Sequence, residues 1–254
     1  LKLSPSWKAM AFPASIGKMK TRIAGLITDV PDAGGLAARC RDYLYNGNEG
    51  ADVIIRTELY SQKRYPVELD EEVLAYMESA FQFYSELVRF GGFYLHSSAV
   101  CYQNRAYLFS GPCGTGKSTH TGLWQKVFGE EVKIFNDDKP ALRCEEGKWY
   151  AYGTPWCGKD GINSNMKVPL AGICFLKQAP ENAIRRLNNA EAVQKILSQT
   201  IRKFSDLEQY DRLLGNVDSL VRNIPVFELR NRPEPDAARM SYETMYRAAE
   251  ELGL

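Results

Sequence analysis

The sequence has almost no net charge and no long apolar run. Its 32 basic and 31 acidic side chains nearly cancel, so no overall field would attract nucleic acid or an anionic membrane. No segment approaches the roughly 18 uninterrupted apolar residues that indicate a membrane span. The composition therefore predicts a protein with neither a nucleic-acid partner nor a membrane partner.

Cysteine and histidine are too few and too scattered to form a disulfide or metal framework. The chain has two histidines and six cysteines, with no C-x-x-C pair and no Cys/His cluster at zinc spacing. The cysteines are Cys40, Cys101, Cys113, Cys144, Cys157 and Cys174. This spacing favours reduced thiols and predicts a cytoplasmic protein.

A chain of 254 residues has room for one sizeable core with a smaller module attached. Residues 1–18 lack the long apolar run of a signal peptide, and we interpret them as a leader or as an alternative start before Met19. We expect a small N-terminal α/β region over residues 19–90 and the main core over residues 91–254.

The pattern of apolar residues predicts a mixed α/β core with additional antiparallel strands. Strands are expected at "TRIAGLITDV" (21–30), "ADVIIRTELY" (51–60), "YLHSSAVCY", "AYLFS", "VKIF", "AGICFLK" and "PVFEL", with a hairpin across "LRCEEGKWYAYG". Helices are expected from the N-cap Asp70 to Gly91, after the glycine-rich stretch, and over about 189–203, 207–222 and 235–252.

The stretch "YLFSGPCGTGKSTHTGLW", residues 107–124, carries the strongest functional signal. Within it, residues 111–118 fit the pattern G-x-x-x-x-G-K-S/T, after an apolar strand and before an amphipathic helix. Such a loop turns backbone N–H groups inward around phosphate oxygens at a helix N-terminus. The expected nucleotide-binding residues are Gly111, Pro112, Cys113, Gly114, Thr115, Gly116, Lys117, Ser118 and Thr119.

The chemistry of this loop assigns expected roles to three of its residues. Lys117 is expected to reach the β- and γ-phosphates, Ser118 to ligate Mg²⁺, and Thr119 to approach the α-phosphate. ATP and Mg²⁺ are therefore the expected cofactors.

Asp137 and Asp138 end an apolar strand twenty residues after Lys117. A strand-end carboxylate beside such a loop is the usual second anchor for Mg²⁺. Two adjacent carboxylates suggest two roles, since each raises the pKa of the other and one can take a proton from an incoming hydroxyl. Lys139 follows where ATPase motors usually carry Glu, so the pattern favours transfer over hydrolysis.

His96 lies fifteen residues before Gly111, in "YLHSSAV". The combination of this histidine, the glycine loop and the later Asp-Asp pair resembles the HPr kinase/phosphorylase family. More loosely, it is similar to the nucleotide-binding core of phosphoenolpyruvate carboxykinases. The resemblance covers about residues 90–145. It implies a P-loop core with a mixed sheet, in which the strands before the loop pair antiparallel, and assembly into a homo-oligomer.

The resemblance also implies roles for single residues. It implies that Asp137 is the proton-accepting carboxylate, that Asp138 is a metal-side carboxylate, and that His96 orients or balances the proton acceptor. It implies phosphate and Mg²⁺ handling by Lys117 and Ser118.

The segment by which HPr kinases engage HPr has no counterpart, and "YGTPWCGKDGINSN" (152–165) stands in its place. Lys159 in this loop is expected either to neutralise the transferred phosphate or to be a solvated surface lysine.

Several other residues are expected to be structural. Trp124 and Phe128 are expected in the core, and His120 is expected to be exposed on the helix. Two roles stay open for four arginines, which either pair on the surface or clamp phosphates or ribose: Arg185, Arg186, Arg230 and Arg232.

The sequence thus predicts an ATP- and Mg²⁺-dependent kinase that phosphorylates a hydroxyl of a small molecule, or of Ser/Thr in a peptide or protein. Two alternatives stay open. One is a nucleotide-responsive binding protein whose loop 153–165 is ordered for a partner. The other is a carboxykinase-like enzyme, which requires a second metal site. Asp137→Asn is expected to abolish transfer while leaving MgATP affinity within a few-fold.

Overall fold

The computed structural model describes residues 17–32, 34–201 and 206–254. Its strands are β1 Lys18–Ile23, β2 Leu26–Pro31, β3 Val53–Ile54, β4 Gly92–Tyr94, β5 Ser97–Tyr102, β6 Arg105–Ser110, β7 Lys133–Asp138, β8 Ala141–Glu145, β9 Lys148–Tyr152, β10 Lys167–Gln178, β11 Ala183–Arg186 and β12 Val226–Asn231. Its α-helices are α1 Gly34–Arg39, α2 Glu71–Leu87, α3 Lys117–Phe128, α4 Asn189–Ser198, α5 Leu207–Asn223 and α6 Pro235–Glu251. Residues 1–16 of the expected leader and residues 202–203 of an expected helix lie outside the described residues.

The main sheet is mixed, which confirms the mixed α/β class. Its order is β4-β8-β9-β10-β6-β5-β7, with β12 beside the second half of β10 and β11 beside β12. Strands β6, β10 and β12 run parallel, and the other pairs in this sheet are antiparallel. The carboxyl ends of the three parallel strands therefore meet at one edge, where open α/β sheets usually bind ligands.

A tight hairpin leads into the glycine loop. Strands β5 and β6 pair over their full length, and Gln103 and Asn104 between them have φ angles of 50° and 59°. Two successive positive φ angles match the right-handed twist of the flanking strands, which explains the short connection. The chain then passes from β6 through the glycine loop into α3.

The N-terminal region differs from the two long strands that the sequence predicts. The stretch 21–30 is a hairpin, because Ala24 and Gly25 turn the chain with φ angles of 50° and 79°. The stretch 51–60 keeps only Val53–Ile54 as a strand and continues in a short 3₁₀ turn. The prediction of one continuous strand over each stretch is therefore wrong.

Helix α2 ties this region to the main sheet. Asp70 is its N-cap, as predicted, and accepts a hydrogen bond from the Val73 N–H at 2.9 Å. One hydrophobic cluster contains residues of β1, β2 and α2 together with Tyr152 and Trp156 of the main core. The region before residue 90 thus shares a core with the residues after it.

Candidate functional site

The glycine loop requires glycine at its two ends. Gly111 has a φ of 147°, and a Cβ atom there would lie 2.9 Å from Thr115 Oγ1 and 3.3 Å from the Leu176 carbonyl oxygen. Gly116, the N-cap of α3, has a φ of 94°. Both angles are unfavourable for residues with side chains, so the sequence pattern follows from the backbone path.

Two hydrogen bonds fix the shape of the loop between these glycines. Thr115 Oγ1 donates to the Pro112 carbonyl at 2.9 Å, and Gln178 Nε2 at the end of β10 donates to the Gly114 carbonyl at 3.1 Å. The exposed residues of the loop and the first helical turn are Pro112, Cys113, Gly114, Ser118 and Thr119.

Lys117, Ser118 and Asp137 form one side of the site, which we call the Ser118 side. Ser118 Oγ lies 2.9 Å from Asp137 Oδ2 and 3.2 Å from Asp137 Oδ1, and donates to this carboxylate. Lys117 Nζ donates to the carbonyl oxygens of Gly111 at 2.9 Å and Pro112 at 3.3 Å. Burial lowers the pKa of Lys117, and the nearby carboxylates partly oppose this shift.

His96, Asp138, Lys139 and Gln199 form the other side, which we call the His96 side. His96 Nε2 lies 3.1 Å from Asp138 Oδ1, and Lys139 Nζ contacts Asp138 Oδ2. Burial alone would raise the pKa of Asp138, but the hydrogen bonds and charges of His96 and Lys139 outweigh it and hold the pKa well below its usual range. Asp138 is therefore an ionised and well-partnered carboxylate.

The backbone of Asp138 is strained. Its φ of 111° lies in the left-handed region that residues with a side chain rarely adopt. Such a conformation has an energy of about 1–3 kcal/mol above the relaxed one and is concentrated at functional sites. In this conformation, the carboxylate of Asp138 lies between His96 and Lys139.

His96 is held from three directions. Its Nδ1 lies 3.2 Å from Gln199 Oε1, and its backbone N–H donates to the Gln199 carbonyl at 2.8 Å. Ser110 Oγ, directly before the glycine loop, donates to the His96 carbonyl at 2.8 Å. His96 itself precedes β5 rather than lying in it, which corrects the expected position on the strand.

The loop 153–165 runs beside the end of β7. The Gly158 N–H donates to the Asp137 carbonyl at 2.5 Å, and the Asp137 N–H donates to the Ile162 carbonyl at 3.1 Å. A Cβ atom on Gly158 would lie 3.4 Å from Asp137 Oδ2, so this loop contacts the acidic pair closely. Lys159 follows Gly158, is exposed, and has no hydrogen bond or ion pair within the described part of the chain.

A cation and a tyrosine from the N-terminal half hold this loop. Arg39 Nη1 donates to the Cys157 carbonyl at 3.2 Å, and Tyr76 OH donates to the same oxygen at 2.7 Å. Lys139 Nζ lies 5.3 Å from the Tyr76 ring centroid, so the aromatic ring also contacts the His96 side. No motif in the sequence points to Arg39, Tyr76 or Gln199.

The contacts pair the acidic residues differently from the roles that the family resemblance implies. Ser118 contacts Asp137 and not the expected metal-side Asp138. His96 contacts Asp138 and not the expected proton acceptor Asp137. Both carboxylates partly oppose the lowering of the Lys117 pKa by burial, so the two sides share one end of β7 and differ in their hydrogen-bond partners.

His120 is buried, so the prediction of an exposed helix residue is wrong. It is 1% exposed and lies between the Phe109 ring, with centroids 4.5 Å apart, and Ser241 of α6. Helix α6 covers this face of α3, which no local pattern in α3 predicts. His120 and Asn231 both line a cavity of about 570 Å³ next to the glycine loop.

The remaining structural expectations agree with the described contacts where these exist. Trp124 is fully buried, whereas Phe128 is half-buried and packs against the hydrophobic cluster that contains Trp124. Arg185 pairs with Glu191 at 2.9 Å, and Arg232 pairs with Glu234 at 2.9 Å, both on the surface.

The site supplies few ligands for a metal by itself. Among residues 17–32, 34–201 and 206–254, no three His, Cys, Asp or Glu side chains cluster as a metal site. Mg²⁺ usually keeps several waters and takes one or two protein oxygens together with phosphate oxygens. The adjacent oxygens of Ser118 and Asp137 fit that mode.

None of the described helices combines the length and apolar character needed to cross a bilayer.

The fold and the site together define a mixed α/β protein with a glycine loop between a strand and a helix, facing a strand-end acidic pair. Residues 64–233, which are 170 of the 254, match the family model described as "SynChlorMet cassette protein ScmC". The chain belongs to this family. The match includes the glycine loop and the acidic pair, and its description states no reaction. A comparison with curated proteins found no match.

Proposed function

We propose that the protein is an ATP- and Mg²⁺-dependent kinase of the HPr kinase-related P-loop type. It transfers the γ-phosphoryl group to a hydroxyl of a small molecule or of Ser/Thr in a peptide or protein. The supporting observation is the meeting of Lys117, Ser118 and two differently partnered carboxylates at the end of one glycine loop. A structural turn would not need a half-buried lysine and a strained aspartate at the same point.

The Ser118 side is suited to hold the nucleotide. Bound MgATP would supply the phosphoryl group and leave as ADP. The backbone of the glycine loop would hold the phosphates, and Lys117 would neutralise charge on them. Ser118 and Asp137 would hold the metal, since their oxygens already lie 2.9 Å apart.

The His96 side is suited to receive the acceptor. Asp138 would accept the hydrogen bond of the attacking hydroxyl and then its proton, as the oxygen–phosphorus bond forms. His96 is a positioning residue, because both its ring nitrogens have protein partners. Lys139 would balance the charge of Asp138. Catalysis would rest on positioning and charge neutralisation.

This assignment exchanges the two aspartates relative to the family resemblance. In the resemblance, Asp137 accepts the proton and Asp138 serves the metal. The contacts support the exchange, because a metal ligand is expected beside Ser118 and the acceptor carboxylate beside His96. Asp137→Asn and Asp138→Asn distinguish the two assignments.

The test is transfer of label from γ-labelled ATP to material in a cell extract of the source organism. We expect label in one protein or metabolite with the wild-type chain, and a loss of at least about 100-fold with Asp138→Asn, a size typical of general base removal. Asp160→Asn is a matched control in the adjoining loop and is expected to keep transfer within about twofold, as surface changes do.

Three results would contradict the proposal. Steady ATP hydrolysis without any labelled product would instead favour the nucleotide-responsive binding protein. The same conclusion would follow if nucleotide changed protease sensitivity in residues 153–165 while no product formed. Label transfer that depends on a carboxylic acid acceptor would favour the carboxykinase-like alternative.

A further inference from the structure

A cavity of about 570 Å³ lies at the edge where the parallel strands end. Strand β6 contributes the glycine loop, β10 contributes the segment after its end, and β12 contributes the turn that follows it. The lining of the cavity includes Thr115, Gly116, His120, Leu123, Ala179 and Asn231. The cavity thus adjoins the proposed phosphate site, and neither Asp137 nor Asp138 lines it.

His120 presents an unsatisfied hydrogen-bond acceptor. Ser241 Oγ donates to the Ala238 carbonyl at 2.9 Å and accepts from Trp124 Nε1 at 3.0 Å. Its only proton is used, so the contact with His120 Nε2 at 3.0 Å requires the proton to be on Nε2. His120 is 1% exposed and has no acidic partner among the described residues, so the buried ring is neutral and Nδ1 carries a lone pair.

Asn231 presents a second acceptor. Its Nδ2 donates to the Arg232 carbonyl at 3.3 Å, which leaves Oδ1 as the atom without a partner. Asn231 is 8% exposed and stands at the end of β12, paired with Gln178 of β10. Among the described residues, neither Asn231 Oδ1 nor His120 Nδ1 has a hydrogen-bond partner, and both atoms are buried.

Two unsatisfied acceptors in one cavity define the ligand that would complete it. A buried acceptor without a partner destabilises the folded state, and a ligand donor recovers that energy. An exocyclic amino group has two hydrogens on one nitrogen, which matches two acceptors in number. An oxo group at the same place would be repelled, because its lone pairs would face those of His120 Nδ1 and Asn231 Oδ1. Leu123 and Ala179 supply apolar contact for a planar ring.

We infer that this cavity is the nucleobase subsite and that it selects a base with an exocyclic amino group, as adenine has. The inference rests on the proposed function, because the glycine loop beside the cavity would hold the phosphates of the same ligand. His120 and Asn231 are then specificity-determining residues on elements that the phosphate loop does not include.

The test compares three ligands by titration calorimetry in the presence of Mg²⁺. They are ATP, ITP, which has an oxo group where ATP has the amino group, and inorganic tripolyphosphate, which has no base. We expect wild-type protein to bind ATP at least about tenfold more tightly than ITP, the effect of one or two buried hydrogen bonds. Asn231→Leu should bring ATP to the affinity of ITP and leave tripolyphosphate unchanged.

Asn182→Leu is the matched control. Asn182 Oδ1 accepts from the Arg232 N–H at 2.9 Å in the same turn, but the residue does not line the cavity. It should keep the preference for ATP. A second variant, His120→Phe, keeps an aromatic ring against Phe109 and should also remove the preference.

The outcomes separate the subsite from the kinase proposal. Equal affinity for ATP, ITP and tripolyphosphate would overturn the subsite and leave the phosphate site intact. If Asn182→Leu also lost the preference for ATP over ITP, that preference would depend on the shape of the turn after β12. This result would overturn the role of His120 Nδ1 and Asn231 Oδ1. Absence of binding by all three ligands would overturn both proposals.

Discussion

The Ser118 side and the His96 side are built around neighbouring residues but from different parts of the chain. Asp137 contacts α3, which directly follows the glycine loop. Asp138 contacts His96, which is fixed by Gln199 at the end of α4. The φ of 111° at Asp138 departs from regular strand geometry, so two adjacent carboxylates have different hydrogen-bond partners while both act on Lys117. In the proposed kinase, this difference corresponds to separate roles in binding and in transfer.

The largest expected effect is on the Ser118 side. Lys117→Met should weaken ATP binding and reduce transfer, each by at least about 100-fold, because it removes the half-buried cation that would neutralise the phosphates. Lys126→Met, exposed on the same helix, is the control and should change neither by more than about twofold. Calorimetry and label transfer measure the two quantities. Normal ATP affinity in Lys117→Met would contradict the assignment of phosphate binding to the Ser118 side.

The next effect is on the His96 side and should leave binding alone. His96→Leu should reduce transfer about 10- to 100-fold, as expected when a catalytic carboxylate loses its orienting partner, with ATP affinity within about threefold. The acid limb of the pH–rate profile should also move to higher pH, because His96 lowers the pKa of Asp138 in the wild-type protein. His96→Gln, which keeps a donor, should restore part of the rate. An acid limb at the same pH in wild type and in His96→Leu would contradict the positioning role of His96.

The stability of the fold should depend on Asp138 in a defined pH range. The folded-state pKa of this carboxyl lies below its ordinary value, so its stabilisation is present above about pH 4 and is lost as the pH falls toward the folded-state pKa. Asp138→Asn should therefore lower the free energy of unfolding by about 2 kcal/mol at pH 7, the size of charged hydrogen bonds. The difference should shrink below about pH 4. Denaturation at pH 7 and pH 3 measures it, and a difference that grows in acid would contradict the pairing.

The smallest effect is expected from the residue that supports His96. Gln199→Ala should reduce transfer about two- to fivefold, since the backbone bond from His96 to the Gln199 carbonyl remains. Gln194→Ala, exposed on α4, is the control. A loss as large as that of His96→Leu would mean that Gln199 has its own role in the site.

The sequence predicts the parts of the molecule whose cause is local. The N-cap at Asp70, the β5–β6 hairpin and the position of the acidic pair at a strand end depend on residues close in the chain. The turn at Ala24 and Gly25 was hidden in a run of β-branched residues, which reads as one strand.

The parts with distant causes could not be read from the sequence. The burial of His120 depends on Ser241, more than a hundred residues away, and Gln199 reaches His96 from another helix. The doublet of Asp137 and Asp138 predicts two roles, but which aspartate contacts Ser118 depends on how β7 lies beside α3. The φ of 111° at Asp138 likewise follows from tertiary contacts.

The division of roles between the Ser118 side and the His96 side is tested most directly by titration with ATP. Wild type, Asp137→Asn and Asp138→Asn are each titrated with and without Mg²⁺. If Asp137 shares the metal with Ser118 and Asp138 serves the acceptor, Asp137→Asn loses the Mg²⁺-dependent part of ATP affinity, by about tenfold or more, whereas Asp138→Asn stays within about threefold of wild type. The opposite pattern, with affinity lost in Asp138→Asn and kept in Asp137→Asn, would contradict the division between the two sides.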